Sequence, residues 1–586
     1  MISLTITNEV ISKNKNAHCH FHDYESISSS FDWKNLENEV VWFDQDHINA
    51  AYNAVDRHVL GPNKNKVAII HESQSGKIEK FTYLDLKIQT DKFANVLKKL
   101  GVKKGDRVFL FLPRIPAVYV SFLGTLKVGA IASTLFSAFG PEALEDRLSN
   151  SKAKVIITTP DLKPKIDQIK DHLPDLTYLI LVNGSPSKSD FEQSSMPLTI
   201  DYEQEMKSAS SSFTIEKTKA EDHAFLLYTS GSTGKSKGVV HAHRAILQQH
   251  LSHKFVHDIK SEDIYWCTAD HGWVTGISYG ILGPLSNGAT ILQYEGRFDP
   301  EAWYSALERH NVTIWYTAPT AIRMLMKAGD ELVKKYNLSS LRHIYSVGEP
   351  LNPECIRWGM SVFGLPFHDT WWQTETGSIL ITNYPSMDIK VGSMGKPFPG
   401  ISAAILDDKG QVCNDGVEGN LAIKAGWPSM MRTLWNDPER YSKLFTNGWY
   451  ITGDRAIRDS NGYFWYVGRS DDVIKTSGER VGPFEVESVL VEHRAIAEAG
   501  VIGKPDQLRG EIIKAFISLK PGFSPSPELE EDIQAFVKKR LAAHAYPREI
   551  AFITTLPKTR SGKIMRRLLK ARELGLPEGD TSTLED

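Results

Sequence analysis

Apolar residues along the chain fall into short blocks separated by amphipathic stretches. VAII (67–70), RVFLFLP (107–113), AIASTLF (130–136), VIITT (155–159), YLILV (178–182) and FLLYT (225–229) are runs rich in β-branched and aromatic residues. Near-continuous apolar runs of this length predict strands buried on both faces. Between them, the segment ending at Leu100 places Phe93, Val96, Leu97 and Leu100 on one helical face, and Gly101 stops it. Residues 117–128 predict another helix. Strand, helix and strand in succession predict an α/β fold: parallel sheets covered by helices. VYVSFLGTLKVGAIASTLFSAF (118–139) imitates a membrane span, but Lys127 near its middle, with Gly124 and Gly129, predicts a buried helix followed by a strand.

The pattern changes after GRSDD (468–472) to a compact α+β text. IIKAFISL (512–519) predicts a strand, and Ser526 caps a helix opened by Pro527 that buries Leu529, Ile533, Phe536, Val537 and Leu541. Residues 1–470 are expected to form a large N-terminal domain and 471–586 a small mobile one, long enough to hold its own core. Residues 1–30 are polar and patternless, which predicts a loose terminus. HCHFH (18–22) could bind a metal, but in such a tail chance histidines are the expected reading.

Composition narrows the function classes. Basic residues number 68 and acidic ones 71, a net charge of −3, so no field draws nucleic acid. The four cysteines form no CxxC pair, which fits a reducing, cytoplasmic compartment. The first 20 residues lack a basic start followed by an apolar run, so no secretory signal and no membrane partner are expected.

Five strings carry candidate chemistry. YTSGSTGKSKGVVH (228–241) follows an apolar strand. Thr229, Ser230, Gly231, Ser232, Thr233 and Gly234 suit a loop wrapping a polyphosphate: their backbones approach closely, their N–H and O–H groups point at the anion, and Lys235 and Lys237 add charge. It is not a Walker loop, which needs Gly where Thr229 stands. In DTWWQTETG (369–377), Thr374 and Glu375 offer a hydroxyl and a carboxylate, a pair able to hold a phosphate oxygen and Mg²⁺. In WYITGDRAIRD (449–459), Asp454 is either a turn residue or an acceptor for ribose hydroxyls, with Arg469 near. KTSGERVGPFEVE (475–487) and LPKTRSGKIMRR (556–567) complete the set; alone, the last is a basic solvated turn or an RNA or membrane patch.

In this order and at these separations the five strings resemble the adenylate-forming superfamily of acyl-CoA synthetases, luciferases and peptide-synthetase adenylation domains, over about residues 45–570. TADHGWVTGISYGILGPLSNGAT (268–290), WYTAPTAIRMLM (315–326), SVGEPLNPE (346–354) and DTWWQTETG narrow the resemblance to its acetyl-CoA synthetase branch. That resemblance implies ligation of acetate to coenzyme A with ATP, through an acyl-adenylate, releasing AMP and pyrophosphate. It implies that Thr229 to Lys237 handle the ATP phosphates, and that Gly348, Glu349 and Pro350 lie along adenine. Asp369, Thr370, Trp371, Gln373 and Thr374 would surround the nucleotide, with Glu375 near Mg²⁺. Asp454 would bind ribose, Arg469 ribose or phosphate, and Arg480 phosphate in one domain arrangement. Lys563 matches the catalytic lysine, Asp471 the hinge, and Val274, Thr275, Val347 and Trp372 the acyl pocket.

Coenzyme A contacts depart from the family pattern. Its Gly-Gly-Phe-Ser segment reads Ser137, Ala138, Phe139, Gly140, and the arginines expected for the 3′-phosphate are absent; Lys163 and Lys165 would substitute, with the Gly478 segment facing the site after rotation. An indole at 372 implies acetate preferred, propionate tolerated and longer acids rejected. The resemblance also implies an acetyltransferase and a deacetylase acting on Lys563. The alternatives are a propionyl- or medium-chain ligase of the same superfamily, an amino-acid activating domain, or a catalytically silent nucleotide-binding regulator.

Overall fold

The apolar runs assemble into two large sheets. In the computed structural model, which describes residues 9–13, 19–185, 197–229, 236–476, 479–541, 544–559, 563–579, 581 and 584, the first sheet has eight strands. Its parallel part runs His223–Thr229, Ile131–Leu135, Arg107–Phe111, Val155–Thr158, Tyr178–Leu181, Leu198–Asp201, and Lys237–Ala242 pairs antiparallel at one side. The second sheet has nine strands. Its parallel part runs Phe367–Trp371, His343–Val347, Ile314–Thr317, Ile264–Cys267, Thr290–Tyr294, Val67–Glu72.

Helices Tyr83–Lys99 and Ala117–Lys127 lie in the same apolar cluster as both sheets, which joins Ile69 and Tyr316 through Phe93 and Phe122 to Leu110 and Phe225. Thr82 and Asp85 close a reciprocal capping box at the start of the first helix. The membrane-like stretch is the second helix followed by strand Ile131–Leu135. Lys127 is fully buried because Asp56 and Asp91 meet its ammonium at 2.9 and 2.6 Å; a lone charge there would cost several kcal/mol, on the order of a Born penalty after relaxation. Among the described residues no helix is long and apolar enough to cross a membrane.

A third, antiparallel sheet carries Ala403–Leu406, Glu418–Lys424, Trp449–Arg458 and Phe464–Arg469. It ends at Arg469, and the first strand of the C-terminal sheet begins at Ile474. That last sheet pairs Ile496–Asp506 with Gly510–Leu519 antiparallel and adds Glu549–Phe552 parallel. Helix Pro527–Arg540 covers it, capped by Ser526 accepting from Leu529 N, with Ile533 and Val537 buried and Leu529, Phe536 and Leu541 packed around them.

Residues 19–30 differ from the expected loose tail. Phe21 is fully buried, its ring 4.5 Å from that of Tyr384, and His20 donates its backbone N–H to Asp258 at 2.7 Å. Asp23 then caps helix Tyr24–Ser30. One aromatic anchor and two polar ones hold a segment whose sequence has no periodicity to announce it. His18 lies outside the described residues.

Candidate active site

The third sheet and the second sheet bring a carboxylate, a tryptophan and a glutamine together. Asp454, on Trp449–Arg458, accepts from Trp371 Nε1 at 3.0 Å, Gln373 Nε2 at 2.9 Å and Arg469 Nη1 at 3.1 Å. Burial raises its carboxyl pKa, and Arg469, then Trp371, oppose that. Gln373 also donates to Thr452 O at 3.0 Å and accepts from Tyr450 Oη at 2.8 Å, so its amide is fixed. The loop after it is clamped: Thr376 O accepts from Trp427 Nε1 at 3.0 Å and Ser429 Oγ at 2.7 Å. Asp369 is buried at the strand before it, where desolvation pushes its carboxyl up to about 7.

The two ends of the loop string lie on paired strands. Thr229 ends one strand, Lys237 starts the next, and the two are register partners. Ser230, Gly231, Ser232, Thr233, Gly234 and Lys235 lie outside the described residues. Thr229 Oγ1 is buried without a hydrogen-bond partner, and Lys237 Nζ forms an ion pair with Glu375. Although burial works the other way, Lys237 holds the Glu375 carboxyl below its ordinary pKa, so it is ionised at neutral pH. An ionised, buried carboxylate is a hard oxygen donor and fits a hard cation that takes its remaining oxygens from phosphate and water. Among the described residues no three His, Cys, Asp or Glu side chains cluster as a metal cage.

Gly348 has φ +90°, a left-handed conformation suited to glycine, and turns the chain from strand His343–Val347 into Glu349 and Pro350. Glu349 is almost buried, ion-paired with Arg323 at 2.9 Å, and accepts from Thr320 Oγ1 at 2.8 Å. Arg323 also reaches Asn352 Oδ1 at 3.2 Å. Asn352 in turn donates to Ser488 Oγ at 2.9 Å across the cleft to helix Pro483–Glu492.

Lys563 lines that cleft with Arg323, Glu349 and Pro350 on one side and Phe484, Glu487 and Arg566 on the other. Its backbone N–H donates to Thr559 Oγ1 at 3.1 Å and its carbonyl accepts from Thr559 N at 2.8 Å; residues 560–562 lie outside the described residues. Lys563 is exposed, yet it forms part of the cleft wall. Desolvation, then Arg469 and Arg566, lower its pKa, while Asp454 and Asp472 raise it. Arg566 pairs with Glu487 through Nε at 2.8 Å and lies 3.7 Å from Asp472 in the linker. Asp471, half exposed, lies 3.5 Å from Arg469 Nε. The Arg480 side chain and Gly478 lie outside the described residues.

The expected acyl-pocket residues come from three elements. Val274 and Thr275 begin helix Val274–Ile277, Val347 ends a strand, and Trp372 follows strand Phe367–Trp371. Val274, Val347 and Trp372 share one apolar cluster. The two adjacent tryptophans point different ways: Trp371 donates to Asp454, and Trp372 donates to Tyr316 Oη at 3.2 Å. The lysines expected for coenzyme A have partners of their own. Lys163 ion-pairs with Asp167 at 2.9 Å, and Lys165 donates to Phe139 O at 3.0 Å.

Sequence reasoning missed Arg323, Asn352, Tyr450 and Tyr316. Tyr316 and Arg323 stood within WYTAPTAIRMLM, but no local chemistry singled them out; only the fold pairs them with Trp372 and Glu349.

Two family models match the chain: AMP-binding enzyme over residues 56–435 and AMP-binding enzyme C-terminal domain over 485–563. The acetyl-coenzyme A synthetase of Bacillus subtilis is 56% identical over 566 residues, covering 96% of this chain and 97% of that protein. That of Methanothrix thermoacetophila is 44% identical, covering 93% and 86%. Among solved structures, a Brucella canis acyl-CoA synthetase is 35% identical with a TM-score of 0.73, covering 94% of this chain and 99% of that one. The anthranilate CoA ligase AuaEII, in complex with anthranoyl-AMP, is 29% identical with a TM-score of 0.84, covering 93% and 99%.

Proposed function

The chain belongs to the acetyl-CoA synthetases of the AMP-binding enzyme family, and on that premise we propose how its residues divide the work of an acetate–CoA ligase. The enzyme joins acetate to coenzyme A at the expense of ATP. The observation that carries our assignment is the convergence of Lys563 with Glu349 and Pro350 on one cleft, within electrostatic reach of Asp454 and Arg469.

In the first half-reaction an acetate oxygen attacks the α-phosphorus and pyrophosphate leaves. Two anions must meet, and the Lys563 ammonium is suited to bridge the acetate and α-phosphate oxygens as charge shifts between them. Asp454 accepts ribose hydroxyls, and Glu349–Pro350 lies along adenine. Thr229 and the loop after it hold the phosphates with Lys237. Glu375, with Thr374 beside it, would hold Mg²⁺, which when bound neutralises charge on the departing pyrophosphate.

In the second half-reaction the coenzyme A sulfur attacks the acyl carbon, the thiol proton is lost and AMP leaves. The thiol must arrive where Lys563 stood. We assign residues 1–470 and 471–586 to two lobes that pivot at Asp471, between the last strand of one sheet and the first of the next. Rotation there withdraws Lys563 and presents the Gly478 segment, with Arg480 changing its phosphate contact. Lys163 and Lys165 remain the assignment for the coenzyme A phosphates, which requires them to leave Asp167 and Phe139. Acetylation of Lys563 by a partner enzyme would remove the bridging charge. Cytoplasmic residence fits the free cysteines.

An acid-length series from acetate to hexanoate, read as CoA-dependent AMP formation, tests the pocket assignment. Acetate should lead, propionate follow, and butyrate and longer acids fall away. Equal rates with hexanoate would remove Trp372 from the wall.

A further inference from the structure

Trp372 is held by a hydrogen-bond chain whose direction the structure fixes. Thr370 Oγ1 donates to Ser346 O at 2.7 Å. A hydroxyl has one proton, so toward Tyr316 Oη, 2.8 Å away, Thr370 can only accept. Tyr316 must spend its own proton there, which leaves its oxygen as an acceptor facing Trp372 Nε1 at 3.2 Å. Each link depends on the one behind it, and the last atom held is the indole nitrogen.

The surroundings make this chain a rigid mount. Tyr316 lies on strand Ile314–Thr317 and is fully buried. Tyr279 meets the Trp372 ring edge-on, centroids 5.1 Å apart at 84°. Its hydroxyl is itself fixed, 2.7 Å from Ser252 Oγ and accepting from Ile379 N at 2.8 Å. Trp371 is committed to Asp454 and cannot take the place of Trp372. The ring can turn only by abandoning the acceptor for its N–H, and an indole N–H without a partner is costly in an apolar wall.

We propose that Tyr316 is a specificity-determining positioning residue: its phenol oxygen, poised by Thr370, locks the Trp372 indole across the end of the acyl pocket and so sets the longest acid admitted. The proposal rests on the reading of Trp372 as that wall. In this role Tyr316 acts through the rotamer of its neighbour.

The test compares kcat/KM for acetate and butyrate, by CoA-dependent AMP formation, in the parent, Tyr316→Phe, Trp372→Phe and the double variant. Tyr316→Phe should lower the acetate-over-butyrate ratio by about fivefold, the worth of one neutral hydrogen bond. In the Trp372→Phe background, which has no N–H to hold, the same change should move the ratio by less than about 1.5-fold. Replacing Trp372 by 3-benzothienylalanine, a near-isostere without the N–H, should reproduce the loss of about fivefold with Tyr316 intact. It does so whether or not Tyr316→Phe folds. An equal change in both backgrounds, or an unchanged ratio with the isostere, overturns the proposal. If Trp372→Phe itself leaves the ratio unaltered, Trp372 is not the wall, and the proposal falls with that reading rather than alone.

Discussion

Replacing Asp454 with Asn swaps one oxygen for an amino group and removes one charge. The native carboxylate accepts from Trp371 at 3.0 Å, Gln373 at 2.9 Å and Arg469 at 3.1 Å. Three of its roughly four acceptor positions are therefore occupied by protein donors, and on the proposed assignment the rest would serve the ribose. Asparagine keeps one acceptor oxygen. If that oxygen serves Trp371 and Gln373, which share Oδ2, the amino group faces the Arg469 guanidinium, donor against donor. No acceptor is then left toward the ribose, a loss of one charge-assisted hydrogen bond to substrate, about 1.5–3 kcal/mol. At about 1.4 kcal/mol per tenfold, that is roughly 10- to 100-fold. Because ribose is held alike before and at the transition state, most of the loss should raise KM for ATP and little should lower kcat. ATP–pyrophosphate exchange at saturating acetate and varied ATP reads this directly, with thermal unfolding as the check on folding. A folded Asp454→Asn protein whose KM for ATP stays within about twofold of the parent would refute the assignment.

Asp471→Pro fixes φ at the expected pivot, so CoA-dependent release of AMP should slow more than pyrophosphate exchange; equal losses in both steps argue against a hinge there. Trp372→Gly should shift the preferred acid from acetate toward longer chains in the same acid-length series, and a variant still confined to acetate takes Trp372 out of the wall. Burial, then Glu418, push the Glu485 carboxyl up to about 7. The folded chain thus holds this proton more tightly than the unfolded chain, and stability falls as pH rises from the ordinary glutamate range through about 7, by at most about 1.4 kcal/mol per unit. Glu485→Gln removes that slope. Its thermal midpoint should exceed the parent's by more near pH 8 than near pH 5, and the same difference at both pH values contradicts the shift.

The strands were legible because a parallel sheet covered on both faces writes itself as continuous apolar runs: VAII lies within strand Val67–Glu72, and RVFLFLP and VIITT open with strands Arg107–Phe111 and Val155–Thr158. The C-terminal helix was legible from its cap, Ser526 before Pro527. The strings proposed for the nucleotide stood out because glycine and hydroxyl residues beside lysine have few other uses. The segment around Phe21 was not, since one buried ring has no period. Nor were Arg323 and Tyr316: their meaning is a partner 26 residues away in one case and 56 in the other, and no local pattern encodes a contact across strands.

Lys563→Ala measured in the two half-reactions separately is the most direct examination of the charge-bridging account. ATP–pyrophosphate exchange with acetate should fall by at least about 10²–10³, the usual loss on removing one electrostatic contact to a transition state. The same protein given acetyl-AMP and coenzyme A should form acetyl-CoA at near the parent rate. Near-normal exchange in the variant, or an equal collapse of both reactions, contradicts the account.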